Sequence, residues 1–252
     1  MCNQKPELNQ KPDKNAPIGV FDSGVGGLTV AREIMRQMPE ERIVYFGDTA
    51  RVPYGSKSQD TIIRYSRQII RFLMTKHVKA IVIACNTASA YALATVEKEF
   101  DVPIIGVIRA GARTAVQVTR NGKIGVIATE GTIGSGIYTQ EIKKLRPDIE
   151  VTGKPCPLFV PLVEEGLLHD SVTDEIASRY LSSLKSRFVD TLVLGCTHYP
   201  LIRSTLGRLM GNDVTLVNPA YETAIELRDL LQKYGLSCDE ENTGGEKYQF
   251  FV

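Results

Sequence analysis

The sequence contains two short stretches that resemble each other, KAIVIACNTAS at residues 79–89 and DTLVLGCTHYP at residues 190–200. Each is a run of aliphatic residues followed by a small residue, a cysteine and polar residues. Such uniformly apolar runs are typical of parallel strands that are buried on both faces of a sheet. Ligands bind at the carboxyl ends of strands in open α/β sheets, so Cys85 and Cys196 are expected where chemistry takes place.

A second pair of similar stretches indicates an internal duplication. APIGVFDSGVGG begins at Ala16 and GKIGVIATEGTI begins at Gly122. Their IGV triplets lie 106 residues apart, and the two cysteines lie 111 residues apart. Two pairs in the same order, at nearly the same separation, predict two homologous halves. Each half would then present one cysteine to a shared cleft.

Composition narrows the class of protein. A chain of 252 residues that is 43% hydrophobic and 23% charged is typical of a globular protein with one large or two medium domains. A net charge of +1 argues against electrostatic capture of nucleic acid or an anionic membrane. The five cysteines match neither a zinc spacing nor a disulfide framework, so we expect reduced thiols in the cytoplasm and no metal.

The N-terminal residues are polar and rich in Asn, Gln, Lys and Pro. They contain no apolar segment of the kind found in a secretory signal. No stretch of the chain reaches the roughly 18 apolar residues of a membrane span. We therefore predict that residues 1–15 form a disordered tail and that the chain has no membrane partner.

Helical and strand periodicities alternate along the rest of the chain, which predicts parallel sheets with right-handed crossovers. Besides the two cysteine strands, predicted strands cover residues 18–21, 42–46, 102–107, 124–128 and 214–217, with YQFFV as a closing edge strand. Predicted helices cover residues 28–37, 58–76, 88–100, 109–120, 138–145, 174–187 and 221–234. We assign residues 16–108 plus about 218–252 to a first α/β domain and residues 109–217 to a second.

Two loops carry further candidate residues. DSGVGG follows the first strand, but its glycine spacing matches neither the dinucleotide fingerprint nor the P-loop. Asp22 in this loop is either a turn residue or a functional group at a strand end. Tyr54 and Gly55 belong to a loop that either closes over a ligand or packs one aromatic ring at the surface.

Two cysteines without a metal or cofactor motif leave three chemistries open. A redox pair is one, although redox dithiols usually occur as C-x-x-C. A nucleophilic Cys196 assisted by His198 is another, but it leaves Cys85 unexplained. The third is symmetric proton transfer, in which one thiolate removes a proton from a carbon and a thiol on the opposite face delivers one.

The motifs FDSGVGGLTV, GDTARVPYG, ACNTASA and LGCTHYP, in this order, resemble those of the cofactor-independent glutamate racemases of the aspartate/glutamate racemase superfamily. The resemblance runs from about Pro17 to the C-terminus. It implies two pseudo-symmetric parallel-sheet α/β domains with the active site in the cleft between them. It also implies glutamate as substrate and no cofactor.

The resemblance assigns roles to individual residues. Cys85 would abstract the α-proton of D-glutamate and Cys196 that of L-glutamate, with Asp22 and His198 assisting the two thiols. Glu165 would correspond to an acidic residue near His198. The residues matching the substrate-contacting pairs are Asp22, Ser23, Tyr54, Gly55, Asn86, Thr87, Thr197 and His198.

Both thiols must be activated, because a free thiol is mostly protonated at pH 7. Each cysteine precedes a predicted helix, whose N-terminal amides favour the thiolate. Amide and hydroxyl donors such as Ser23, Asn86, Thr87 and Thr197 are suited to stabilising the negative charge that develops on the substrate carboxylate.

Two other functions remain open at this point. An aspartate racemase, or another racemase or isomerase of the superfamily, is the nearest alternative. A non-catalytic amino-acid-binding module is an alternative of another class. The resemblance further implies supply of D-glutamate for peptidoglycan, and we expect a homodimer, although its geometry does not follow from the sequence.

Overall fold

The computed structural model describes residues 13–238 and 246–252. Most of the predicted tail, residues 1–12, lies outside the described residues. Residues 13–15 were predicted to belong to that tail but form a turn attached to the fold. The carbonyl of Asp13 accepts the amide of Ala16 at 3.0 Å, and the carbonyl of Lys14 accepts the ammonium of Lys79 at 2.5 Å.

Strands and helices alternate along the chain, as the periodicity predicts. The strands are β1 (Ile18–Asp22), β2 (Ile43–Gly47), β3 (Ala80–Ile83), β4 (Ile104–Gly106), β5 (Lys123–Ala128), β6 (Glu150–Pro155), β7 (Thr191–Gly195), β8 (Thr215–Val217) and β9 (Tyr248–Phe251). The helices are α1 (Leu28–Gln37), α2 (Gln59–Met74), α3 (Asn86–Tyr91), α4 (Leu93–Val96), α5 (Val107–Val118), α6 (Glu130–Gly134), α7 (Ile137–Leu145), α8 (Phe159–Glu164), α9 (Ser171–Lys185), α10 (Arg203–Met210) and α11 (Pro219–Tyr234). Across residues 13–238 and 246–252, none of the helices has the length and apolar character needed to cross a bilayer.

The strands form two sheets, and every pairing within them is parallel. The first sheet has the order β4-β3-β1-β2-β9 and the second the order β6-β5-β7-β8. Each cysteine strand lies beside the first strand of its half, β3 beside β1 and β7 beside β5. The edge position predicted for YQFFV is confirmed, because β9 pairs with β2 at the end of the first sheet.

Corresponding positions in the two halves share unusual geometry, which confirms the pseudo-symmetry. His77 and Phe188, 111 residues apart, both follow the helix that precedes a cysteine strand, and they have φ angles of 55° and 56°. Gly19 and Gly125 occupy equivalent positions in β1 and β5. A Cβ at either glycine would stand 3.1 to 3.4 Å from a leucine side chain of α2 or α9, so each strand packs closely against the helix at the same position.

Two predicted elements differ from the structure near the first cysteine. The helix predicted over residues 88–100 begins earlier and is divided into α3 and α4. It begins at Asn86 because Cys85 is its N-cap residue, with Sγ accepting the amide of Ala88 at 3.5 Å. The strand predicted over residues 102–107 is only three residues long, since α5 starts at Val107.

Three apolar clusters form the core. One lies on the outer side of the first sheet beneath α2, and another on the outer side of the second sheet beneath α9. The third contains residues of both sheets together with α1, α5, α7 and α11. Helix α11 packs on α1 and α5, so the end of the chain returns to the first half. The domain boundaries assigned from the sequence stay a prediction, because this central cluster is continuous across them.

A buried ion pair joins the beginning and the end of the chain. Lys79 is 0% exposed, and its ammonium lies 2.5 Å from the carboxylate of Glu41. The other oxygen of Glu41 accepts the amide of Cys238 at 3.0 Å. Because Lys79 also donates to the carbonyl of Lys14, the pair joins the N-terminal turn, the residues just before β2 and β3, and the segment after α11.

Replacing Lys79 by methionine is expected to lower the free energy of unfolding by about 3 kcal/mol, because it leaves the Glu41 carboxylate buried without its counter-ion. Urea denaturation measures the change. The matched control is Arg179→Met, which breaks an exposed pair with Glu175 and is expected to change stability by less than about 1 kcal/mol. Equal, small effects of both substitutions would contradict the role assigned to the buried pair.

Candidate active site

The carboxyl ends of the central strands of both sheets open onto one cavity of about 350 Å³. Both cysteines line it, one from each half. The predicted site residues in its wall are Ser23, Tyr54, Gly55, Cys85, Asn86, Thr87, Cys196, Thr197 and His198. Asp22 was also predicted for the site, but it is not part of this wall.

Cys85 is held at the junction between β3 and α3. Its thiol lies 3.7 Å from the hydroxyl of Ser23, and its sulfur accepts the amide of Ala88. Burial raises the pKa of Cys85 to about 12, and the negative charge of Asp22 adds to this rise. The helix amide acts in the predicted direction, toward the thiolate, but desolvation outweighs it. Cys85 is therefore a neutral thiol at pH 7 in this structure.

Cys196 follows β7 and has different partners. Its sulfur lies 3.8 Å from Nδ1 of His198. Burial raises its pKa well above the usual value, and negative charge on Cys85 or Asp22 raises it further, whereas the backbone N–H of His198 opposes the rise. Since charge on Cys85 disfavours charge on Cys196, the pair is disposed to hold one thiolate at most.

The acidic partner of His198 is Glu164. The Nε2 atom of His198 lies 3.0 Å from Oε1 of Glu164, the last residue of α8. The assignment of Glu165 to this position was wrong by one residue. Glu165 caps the helix and does not line the cavity, whereas Glu164 does. The sequence has two adjacent glutamates here, and only the end of α8 decides which of them faces the histidine.

Asp22 lies behind the cavity wall. It is fully buried, and its Oδ2 accepts the amides of Gly27 at 2.8 Å and Gly24 at 3.3 Å. Its Oδ1 has no hydrogen-bond partner within the described part of the chain. Burial raises the pKa of Asp22, and the positive charge of His198 and the backbone amides of Gly27, Ser23 and Gly24 oppose that rise. Gly27 is required here, because a Cβ would stand 2.3 Å from the Cβ of Asp22.

The loop with Tyr54 and Gly55 is both packed and part of the cavity wall. Tyr54 is 1% exposed, and its hydroxyl donates to the carboxylate of Asp48, which also accepts Nε of Arg51 at 2.8 Å. The carbonyl of Gly55 accepts the amide of Gly131 at 2.8 Å. The loop is thus fixed at one end by polar contacts and reaches the second half at the other.

Residues of the second half hold the two polar residues that follow Cys85. The hydroxyl of Tyr138 donates to Oδ1 of Asn86 at 2.7 Å. The hydroxyl of Thr87 lies 2.9 Å from that of Thr129 and 3.2 Å from that of Thr132. None of these three partners from the second half was predicted from the sequence.

A sequence signal for Thr129 did exist. The 106-residue separation that aligns the two IGV triplets also aligns Thr129 with Ser23, so both follow the central strand of their half. The separation of 111 residues between the cysteines similarly aligns Thr87 with His198. Applying the duplication residue by residue would have pointed to Thr129, whereas nothing in the spacing points to Tyr138.

The comparisons with known proteins agree with this geometry. The sequence profile of the family described as Asp/Glu/Hydantoin racemase matches residues 18–225. A glutamate racemase of Geobacter metallireducens is 50% identical over 231 residues, which cover 92% of this chain and 86% of that protein. A solved glutamate racemase isoform of Bacillus anthracis has a TM-score of 0.90 and 44% identity, covering 94% of this chain and 88% of that one.

Two further solved structures are informative. The glutamate racemase of Francisella tularensis, in complex with D-glutamate, has a TM-score of 0.87 and 42% identity over 94% of this chain and 88% of that one. An aspartate racemase of Picrophilus torridus has a TM-score of 0.61 at 18% identity, covering 87% of this chain and 98% of that one. At that identity the second likeness concerns the fold alone.

The raised pKa of Cys85 has a measurable consequence. Below its pKa the thiolate fraction rises tenfold per pH unit, so the alkylation rate of Cys85 by iodoacetamide is expected to climb without a plateau from pH 7 to about pH 10. Peptide mass spectrometry resolves the modification at Cys85. In urea the thiol has its ordinary pKa of about 8.5, so the alkylation rate of Cys85 is expected to level off above that pH. A plateau below about pH 9 in the folded protein would contradict the assigned shift.

Proposed function

Because this chain belongs to the Asp/Glu/Hydantoin racemase family, and within it to the glutamate racemases, we propose that its two cysteines interconvert L-glutamate and D-glutamate by direct proton transfer at the α-carbon. The observation that carries the proposal is the pair of thiols, one from each half, in the wall of a single cavity. A cavity of about 350 Å³ lies at the small end of the range for ligand sites, which suits one free amino acid.

The proposed reaction balances without a cofactor. The thiolate of Cys85 takes the α-proton of D-glutamate and leaves a carbanion whose charge spreads onto the carboxylate. The thiol of Cys196 then delivers its proton to the other face of that carbon, which yields L-glutamate. Cys85 ends as the thiol and Cys196 as the thiolate, so the enzyme is ready for the reverse reaction.

Desolvation favours the proton abstraction but opposes formation of the thiolate that performs it. A buried thiolate has a high proton affinity, so the pKa of its thiol lies closer to the pKa of the weakly acidic α-carbon. The same burial makes the thiolate scarce, so assisting groups must accept the thiol proton. We assign this role for Cys196 to His198, whose Nδ1 lies 3.8 Å from the sulfur and whose Nε2 contacts Glu164. Such a carboxylate stabilises the imidazolium that forms.

Asp22 is the corresponding assisting group for Cys85. It is buried and its pKa is raised, and its charge also raises the pKa of Cys85. A carboxyl group in that position can hold a proton while Cys85 is the thiolate. Contact between Asp22 and the substrate, expected from the resemblance, remains a proposal because Asp22 stands behind the wall.

Neutral donors are proposed to bind the substrate carboxylates. No lysine or arginine of the described residues lines the cavity. Ser23, Asn86, Thr87 and Thr197 line it, and they provide hydroxyl and amide donors. Tyr54 and Gly55 would close one side. Preorganised donors of this kind stabilise the charge that develops on the carboxylate in the transition state.

The proposed cellular role is the one that the family resemblance implies. We propose that the enzyme acts as a homodimer in the cytoplasm and supplies D-glutamate for peptidoglycan. Depleting it in its host is expected to arrest wall synthesis, and added D-glutamate is expected to restore growth. Sedimentation velocity tests the dimer independently.

Substrate choice separates glutamate racemisation from its nearest alternative. Circular dichroism of purified enzyme with L-glutamate, without added cofactor, is expected to decay to zero. L-aspartate under the same conditions is expected to keep its signal. Decay with aspartate alone would identify an aspartate racemase, and no decay with either would favour a binding module.

Single cysteine substitutions test which thiol removes the α-proton of which enantiomer. In deuterated water, Cys85→Ser is expected to lose racemisation by about 10²- to 10⁴-fold but to exchange the α-proton of L-glutamate, because Cys196 remains as its base. Cys196→Ser is expected to exchange the α-proton of D-glutamate only. Proton NMR measures both reactions. The control is Cys156→Ser, a buried thiol outside the cavity wall, which should racemise normally. Exchange of both enantiomers by either cysteine variant would refute the assignment.

A further inference from the structure

Three threonine hydroxyls meet where the two halves touch beside the cavity. Thr87 belongs to α3, Thr129 is the N-cap of α6, and Thr132 lies in the first turn of α6. The three oxygen–oxygen distances are 2.9 Å for Thr87 to Thr129, 3.2 Å for Thr87 to Thr132 and 3.0 Å for Thr129 to Thr132. Each hydroxyl is therefore within hydrogen-bond distance of both others.

The cluster joins segments that are far apart in the chain. Thr87 follows Cys85 by two residues in the first half, whereas Thr129 and Thr132 follow the central strand of the second half. The hydrogen bond from the amide of Gly131 to the carbonyl of Gly55 lies in the same contact. The hydroxyl cluster is thus part of the junction between the halves, at the carboxyl ends of the strands.

The number of protons limits what this cluster can do. Three hydroxyls have three protons, which a closed ring of three hydrogen bonds uses completely. Thr129 also accepts the amide of Thr132 at 3.2 Å, which fixes its oxygen at the start of α6. A substrate carboxylate can receive a hydroxyl proton from the ring only if one of its three bonds opens.

The three members have unequal access to a ligand. Thr87 and Thr129 line the cavity, but Thr132 does not and is 1% exposed. When Thr87 donates to a carboxylate, Thr129 can donate to Thr132 and Thr132 to Thr87, so every proton is used again. The chain of bonds then runs from the second half through Thr132 to the first half and the ligand, and such chains strengthen cooperatively.

We propose that Thr132 is a positioning residue that orients the hydroxyl of Thr87 toward a carboxylate of the substrate and couples substrate binding to the contact between the halves. This inference rests on the proposed function, since it takes glutamate as the ligand. Thr132 acts through Thr87 and does not touch the substrate.

The test compares Thr132→Val, which removes the hydroxyl and keeps the shape, with Thr132→Ser, which keeps the hydroxyl. Thr132→Val is expected to raise KM for both glutamate enantiomers by a similar factor of roughly five to ten, with a smaller change in kcat. Thr132→Ser is expected to restore KM to within about twofold of the unmodified enzyme. The control is Thr223→Val, which deletes another fully buried hydroxyl, bonded to the carbonyl of Pro219 at 2.7 Å and outside the cavity wall.

Hydrogen exchange provides a readout that does not depend on turnover. In Thr132→Val, peptides covering residues 86–91 and 129–134 are both expected to exchange faster. Glutamate is expected to slow exchange in both peptides of the unmodified protein but to do so less in the variant. Faster exchange in residues 129–134 alone would mean a local helix effect and would overturn the proposed coupling.

Other outcomes are equally decisive. An unchanged KM in a folded Thr132→Val protein would overturn the proposal. If that variant does not fold, Thr132→Ala and Thr132→Ser form a second pair that differs by the hydroxyl, and equal KM values for these two would overturn it as well. Failure of the unmodified enzyme to racemise glutamate would instead refute the proposed function, and the exchange measurement would still report on the hydroxyl cluster.

Discussion

Two thiols are buried at the carboxyl ends of parallel strands, and the chemistry of the whole site depends on this burial. It raises the pKa of both Cys85 and Cys196, so each favours the neutral form at rest. It also makes either thiolate a stronger base, which abstraction of a carbon-bound proton requires. The N-terminal amides of α3 and Ser23 offset part of the desolvation of Cys85, and the backbone N–H of His198 offsets part of that of Cys196. In the proposed reaction, the site holds a single negative charge and moves it from one sulfur to the other.

The two thiols occupy corresponding positions in the two halves, but their surroundings differ. The 106-residue separation aligns Asp22 with Ala128, so the second half has no buried carboxylate behind its central strand. The 111-residue separation aligns His198 with Thr87, so the first half has no histidine beside its thiol. Each cysteine therefore has beside it one group, proposed to assist it, that the other cysteine lacks. L- and D-glutamate are enantiomers that differ in configuration at a single carbon, so a site with unlike halves is compatible with the proposed racemisation.

The sequence was informative wherever a property is local. Apolar runs predicted the strands, and their order along the chain predicted parallel sheets with both cysteines at equivalent ends. Predictions from the sequence failed where a residue's position depends on a helix boundary or on the contact between the halves. The choice between Glu164 and Glu165 depends on where α8 ends, and the division between α3 and α4 depends on packing. Thr132 was missed because its partners come from both halves, and no periodicity encodes that contact.

The residues that follow each cysteine by two positions show why the site requires both halves together. Thr87 extends from the first half to hydroxyls of the second half. His198 extends from the second half to the loop after β1, where a Cβ on Gly26 would stand 2.7 Å from its ring. Neither half alone therefore contains a complete set of groups around its own thiol. A relative movement of the halves would change the surroundings of both sulfurs at once, and closure of the cleft would then expel water and orient the donors in one step.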